Sequence, residues 1–160
     1  MWIHRLTLLL FAATLALACG GDEKTIETED GTFTVEAEDG GIRISGEEEG
    51  VGAVSGHFGE NAKIPDGFPK DVPVYPDASV VAGVAAGEGG MVTLQTGDDP
   101  DEIVAFYREK LTGEGWSLAS EVNLGDQRIL PIEKGDRNGA VQISREGGDT
   151  TILLIVDMGN

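Results

Sequence analysis

Cysteine is nearly absent from this chain: Cys19 is the only one in 160 residues. A single thiol cannot close an intrachain disulfide, and it cannot build a thiolate zinc site. Histidine is scarce too, with His57 the only one beyond His4. Basic charge is the next shortage: 11 Lys and Arg stand against 29 Asp and Glu, a net charge of −18. Such a surface repels phosphate backbones, which excludes nucleic-acid binding, and it disfavours electrostatic docking on anionic lipid. The acidity itself is explained by solubility and mutual repulsion. Long hydrophobic runs are missing as well. The longest uncharged apolar stretch, Leu6 to Ala18, falls short of the ~20 residues that a spanning helix needs. Glycine, by contrast, is abundant at 24 residues, which predicts many tight turns.

The apolar stretch follows a short basic head, His4-Arg5, and ends on small Ala18 directly before Cys19. A charged front, a hydrophobic middle and a small-residue cleavage point build a secretory signal peptide. The segment Leu15-Ala16-Leu17-Ala18-Cys19 resembles the lipobox of bacterial lipoproteins. That resemblance implies cleavage before Cys19 and lipidation of Cys19, with the membrane as a partner through palmitate-type acyl chains. Two or more such chains give a stable hold. Gly20, not Asp, follows the cysteine. By the sorting rule of the same family, this implies the outer rather than the inner membrane in a two-membrane cell, with the periplasmic face as the default and surface display as the alternative. The 142 residues left after cleavage carry 10 basic and 29 acidic side chains, and they hold no free thiol once Cys19 is acylated.

The chain divides into three parts. Residues 1–18 form the signal peptide. Residues 19–63 form an acidic, Gly-rich tether with short strands, carrying 12 acidic and 3 basic residues. Its opening, Gly20-Gly21-Asp22-Glu23-Lys24, reads as flexible. Phe33, Val35 and Ala37 then share one side of a strand, Asp39-Gly40-Gly41 signals a turn, and Ile42-Arg43-Ile44-Ser45 alternates again. A small β-meander is the expectation, with 47–59 as loop.

Residues 64–160 form the third part, an expected α+β domain. Pro65, Pro69, Pro73 and Pro76 hold an extended arm that cannot be helical. Such a segment can serve as a ligand for aromatic grooves. The better expectation is a stiff arm docked on its own domain, because Phe68, Val72, Val74 and Tyr75 prefer burial. Strands follow at Val80–Ala86 and Met91–Thr96. Asp99 as cap, Pro100 at the first helical position and Glu102 then open a helix. Its apolar stripe is Ile103, Phe106, Tyr107 and Leu111, and Gly113 and Gly115 end it. Further strands lie around Trp116–Val122, Ile129–Ile132 (placed at an edge by Pro131) and Val141–Ile143. Thr151–Val156 is apolar on both faces and belongs in the middle of the sheet. The expected fold class is therefore α+β, an antiparallel sheet with one helix on one face, preceded by the tether and meander. One helix covers one face only. Leu153 and Ile155 point the other way, so the arm, the 32–45 strands or a partner protein must cover the second face.

The run Pro69-Lys70-Asp71-Val72-Pro73-Val74-Tyr75-Pro76-Asp77-Ala78, with Phe106-Tyr107, Leu111 and Gly115-Trp116, resembles a module of bacterial lipoproteins that has no assigned activity. The resemblance covers about residues 64–160 and implies fold and location, not chemistry.

Catalytic constellations are weak. His57 lies in Ser55-Gly56-His57-Phe58-Gly59, without the Gly-x-Ser-x-Gly elbow of a serine hydrolase. Asp98, Asp99, Asp101 and Glu102 suit a helix start. Glu29-Asp30-Gly31 and Glu38-Asp39-Gly40 put oxygens at turns where calcium could order residues 22–50, but they lack EF-hand spacing. Gly87-Glu88-Gly89-Gly90 has no phosphate-loop lysine. The expectation is a lipid-anchored envelope protein with a non-catalytic binding or structural role, with another envelope protein as the candidate partner. It is not an enzyme, has no cofactor or metal, and has Cys19 as its only assigned site. The alternative is a carboxylate-dependent hydrolase of envelope sugar polymers.

Overall fold

The computed structural model describes residues 23–38, 40–87 and 89–158. Four strands open the chain: β1 Glu23–Glu27, β2 Gly31–Glu38, β3 Gly41–Glu48 and β4 Gly52–Gly59. After the proline arm come β5 Ser79–Ala86 and β6 Gly89–Thr96, then helix α1 Pro100–Gly113. Five more strands follow: β7 Ser117–Leu118, β8 Val122–Leu124, β9 Gln127–Lys134, β10 Arg137–Glu146 and β11 Asp149–Met158. All lie in one 11-stranded sheet, ordered β1-β2-β3-β4-β5-β6-β11-β10-β9-β7, with β8 also on β9. Every pairing between these strands is antiparallel.

This overturns the expected fold class. The chain is not a small meander ahead of a one-helix α+β module: residues 23–59 continue the main sheet, and the architecture is predominantly antiparallel strand with one helix. The joint is β4 on β5, with Val54 opposite Ala86, His57 opposite Gly83 and Phe58 opposite Ala82. β5 would otherwise be an edge with a free row of backbone donors and acceptors, and β4 satisfies them. The stretch 47–59, expected as loop, is the end of β3 and all of β4. Its glycines give weak local propensity, but pairing on both flanks overrides that. β1 likewise begins at Glu23, inside the segment expected to be flexible.

Helix α1 forms as the pattern predicts. The Asp99 side chain accepts from the Asp101 amide at 2.9 Å, and Pro100 follows the cap. Gly115 adopts φ 84, which glycine reaches without a Cβ clash. The Trp116 amide then donates to the Leu111 carbonyl at 2.9 Å. Ile103, Val104, Tyr107 and Leu111 are buried against the sheet. They meet Val92 and Leu94 of β6, Leu130 and Ile132 of β9, Val141 and Ile143 of β10, and Ile152, Leu154 and Val156 of β11. The register puts these strand residues on one side: Leu94 faces Ile152, Ile152 faces Ile143, and Val92 faces Leu154. β11 sits between β6 and β10, the central place that its apolar run requires. Pro131 is not at a simple edge. Its carbonyl accepts from Ala119 in the gap between β7 and β8, so its missing N–H falls where no strand needs a donor.

Candidate functional site

The proline arm lies on the helix side of the sheet. A Cβ at Gly83 would stand 2.6 Å from Pro65 Cδ, and one at Gly90 would stand 3.0 Å from Phe68 Cδ2. Those two glycines let the arm sit close on β5 and β6. Phe68 and Val72 are buried in the core cluster, and Val74 and Tyr75 pack against it. The Tyr75 ring meets Phe106 edge-on at 5.0 Å, and its hydroxyl donates to Asp98 at 3.0 Å. Burial, then the bond to Asp98 and its charge, push the Tyr75 hydroxyl up to about 12. Tyr107 is fully buried, which raises its pKa, and its hydroxyl approaches the Tyr75 backbone without reaching hydrogen-bond geometry.

The arm is clamped at Asp71. Its carboxylate takes a bidentate pair from Arg137, at 2.7 and 2.9 Å, and a third bond from Lys134 at 2.7 Å. Its backbone carbonyl accepts from Trp116 Nε1 at 2.9 Å. The Arg137 guanidinium stacks 4.7 Å from the Trp116 ring centre. The Arg137 bond, opposed by partial burial and helped by Lys134, holds the Asp71 carboxyl down at about 2. Two further cations on the same sheet face hold the helix start: Arg145 pairs with Asp99 and Arg128 with Asp101. Acidic groups from the arm and the helix thus meet basic groups at the ends of β9 and β10. Sequence reasoning missed this clamp because Asp71 and Arg137 lie 66 residues apart. The available signal was a pair of cations, Lys134 and Arg137, flanking the β9–β10 turn.

The arm and the helix therefore cover the same face, and the 32–45 strands lie within the sheet. Neither covers the second face. On that side the register aligns Phe33 with Gly46, Val35 with Ile44, Ile42 with Phe58, Gly56 with Val84, Val84 with Met91, and Met91 with Ile155. The row crosses the sheet from β2 to β11. Ile26, Ile42, Phe58 and Met91 are 37, 49, 36 and 39 % exposed, while the positions of β1–β4 on the helix side are polar apart from Ala53 and two glycines. From β1 to β6 and on β11, the charged residues of this open face are Lys24, Glu48, Asp149 and Asp157, toward strand ends.

The residues singled out from sequence fall as follows. Cys19 lies outside the described residues. Ser55 and His57 are on β4, not in a loop, and both face the helix side. Across the strands His57 stands beside Arg43 and Gly83, and neither offers a carboxylate to orient it as a base. Glu29, Asp30, Glu47, Glu48 and Glu49 gather around a shallow depression of about 530 Å³ at one end of the sheet. Asp39 and Glu88 lie outside the described residues. Among the described residues, no group of three or more His, Cys, Asp or Glu is placed to hold a metal ion. Asp98, Asp99 and Asp101 are engaged with Tyr75, the helix cap and Arg128. The lowered carboxyl at Asp71 is the reverse of what a general acid needs. No helix among the described residues is long and apolar enough to cross a membrane. No curated protein and no solved structure matches the chain. Residues 79–150, from β5 to the start of β11, are similar to a family model described as START domain-like.

Proposed function

We propose that this chain is a lipid-anchored envelope protein that works by non-catalytic contact through the open face of its sheet. The observation that carries the reading is that face: a row of half-exposed apolar side chains from β2 to β11, left bare after the helix and the arm are both placed opposite. Contiguous apolar surface on that scale marks an interaction site on a water-exposed protein. The START domain-like match over 79–150 supports a binding module. With Cys19 acylated, four residues precede or reach Glu23, the start of β1. They span at most about 14 Å, so the edge of the sheet stands beside the bilayer and meets envelope components.

Two measurements on the full chain test this. Cys19→Ala should move the protein from the membrane to the soluble fraction; a variant that stays with the membrane at full precursor mass contradicts the anchor. A photo-crosslinking amino acid placed at Ile42, on the open face, should yield adducts in membranes, and one at Arg43, on the other face, should not. Equal yields at the two positions contradict contact through the open face.

A further inference from the structure

We infer that the occupant of the open face is a second copy of this chain, packed sheet on sheet. The inference rests on the reading of that face as the contact surface and names its partner.

Size is the first argument. The open face, apolar along its centre and polar toward the strand ends, spans seven neighbouring strands, β1 to β6 and β11, mostly eight residues long. At roughly 4.8 Å between strands and 3.3 Å per residue, the patch measures about 29 by 26 Å, or about 750 Å². A stable interface buries about 800 Å² on each partner. One face meeting its own twin supplies that area.

Shape is the second. A Cβ at Gly46 would lie 2.7 Å from Phe33 Cδ1, and one at Gly56 would lie 3.0 Å from Phe58 Cε2. Each ring therefore leans over a neighbouring glycine, which levels the surface. A level pleated face suits stacking against another sheet at about 10 Å, and a two-fold axis makes one patch serve both partners.

Charge is the third. An anionic bilayer is opposed by 29 acidic against 11 basic residues. A basic protein would be drawn to the acidic helix side and sheet ends, not to a face whose centre carries no charge. A second copy needs no charge complement. It brings its own net negative charge, so added salt should strengthen the pair by screening repulsion. Confinement of two anchored copies to one bilayer raises their effective concentration.

The test uses the full, lipidated chain carried in two differently tagged versions in one cell. A photo-crosslinker at Ile42 should give an adduct of twice the chain mass that carries both tags. Its yield should rise with salt in isolated membranes. Ile44→Glu or Val84→Glu should abolish the doubled band while far-UV circular dichroism and Trp116 fluorescence stay as in the parent, because both residues lie outside the core. An adduct of any other mass, protein or lipid, overturns the second copy and leaves the contact reading standing. Failure to exceed the yield at Arg43 overturns both. A doubled band that survives both glutamates also overturns the inference.

Discussion

Removing the Asp71 carboxylate should loosen the arm from the sheet. In Asp71→Ala, Arg137 loses both members of its bidentate pair and Lys134 loses its bond at 2.7 Å. The Arg137 Nε is already buried without a partner, so its cation becomes largely uncompensated. Breaking a fully buried pair costs ~3–5 kcal/mol, and an exposed pair contributes ~0–1 kcal/mol. The side chains here are 26 % exposed for Asp71, 20 % for Arg137 and 34 % for Lys134. That intermediate burial places the expected loss at about 2–3 kcal/mol. With a urea slope of about 2 kcal/mol/M for a chain of this size, the midpoint should fall by about 1–1.5 M. Trp116 is the only tryptophan besides Trp2, and it is 2 % exposed beneath the Arg137 guanidinium. In the chain processed at Cys19 its emission reads the clamp alone, and it should shift to the red in the variant before global unfolding. Asp71→Asn should cost less, because the amide keeps one acceptor. A cycle with Arg137→Ala should return a coupling of about 1–2 kcal/mol. A loss below about 0.5 kcal/mol with unchanged emission would refute the clamp.

Acid should act through the same group. The folded carboxyl is lowered from 3.8 to about 2, so its stabilisation is complete above pH 4 and disappears as pH falls through 2. After allowance for solvent screening it contributes about 1–2 kcal/mol, and Asp71→Asn should remove that part of the acid dependence in urea titrations at pH 2 to 5. Tyr107→Phe deletes a buried hydroxyl that lacks a partner and should leave stability unchanged or raise it by up to about 1 kcal/mol; a loss above that in thermal melts would mean the hydroxyl is bonded. Gly83→Ala places a Cβ 2.6 Å from Pro65 Cδ and 3.1 Å from the Lys63 carbonyl. It should cost about 1–3 kcal/mol and expose the arm to protease, whereas Gly97→Ala, with open space around it, should be neutral.

Local signals carried the helix and the central strand into the structure. Asp99, Pro100 and the Ile103, Tyr107, Leu111 stripe act within one or two turns, so their meaning survives without tertiary context. The both-faced run of β11 could only be interior. The first four strands were only half legible. Phe33 and Val35, and Ile42 and Ile44, alternate plainly, yet β4 reads Gly-Ala-Val-Ser-Gly-His-Phe-Gly and owes its form to β3 and β5 on either side. That pairing turns a presumed meander into part of one sheet, and no local pattern announces it. The arm's side of the sheet was also hidden. Gly83 and Gly90 mark where it lands, but in a chain with 24 glycines two more carry no message until Pro65 and Phe68 are seen above them. The demand for a second cover was legible from Leu153 and Ile155. The identity of that cover was not, because it depends on where the arm and the 32–45 strands go.

On the proposed reading the open face is covered in the membrane-bound protein, although nothing in the chain's described fold covers it. Ile42 is 49 % exposed and the Arg43 side chain 43 %, on opposite faces. Single cysteines at these two positions, in a chain whose Cys19 sulfur is blocked beforehand or by the proposed acylation, should react alike with a polar maleimide if both faces are bare. In intact membranes, with each rate scaled to that of the urea-unfolded protein, position 42 should label at least about tenfold more slowly than position 43, a ratio that corresponds to 1.4 kcal/mol of protection. Equal rates would show the face bare where the protein works and would contradict the account.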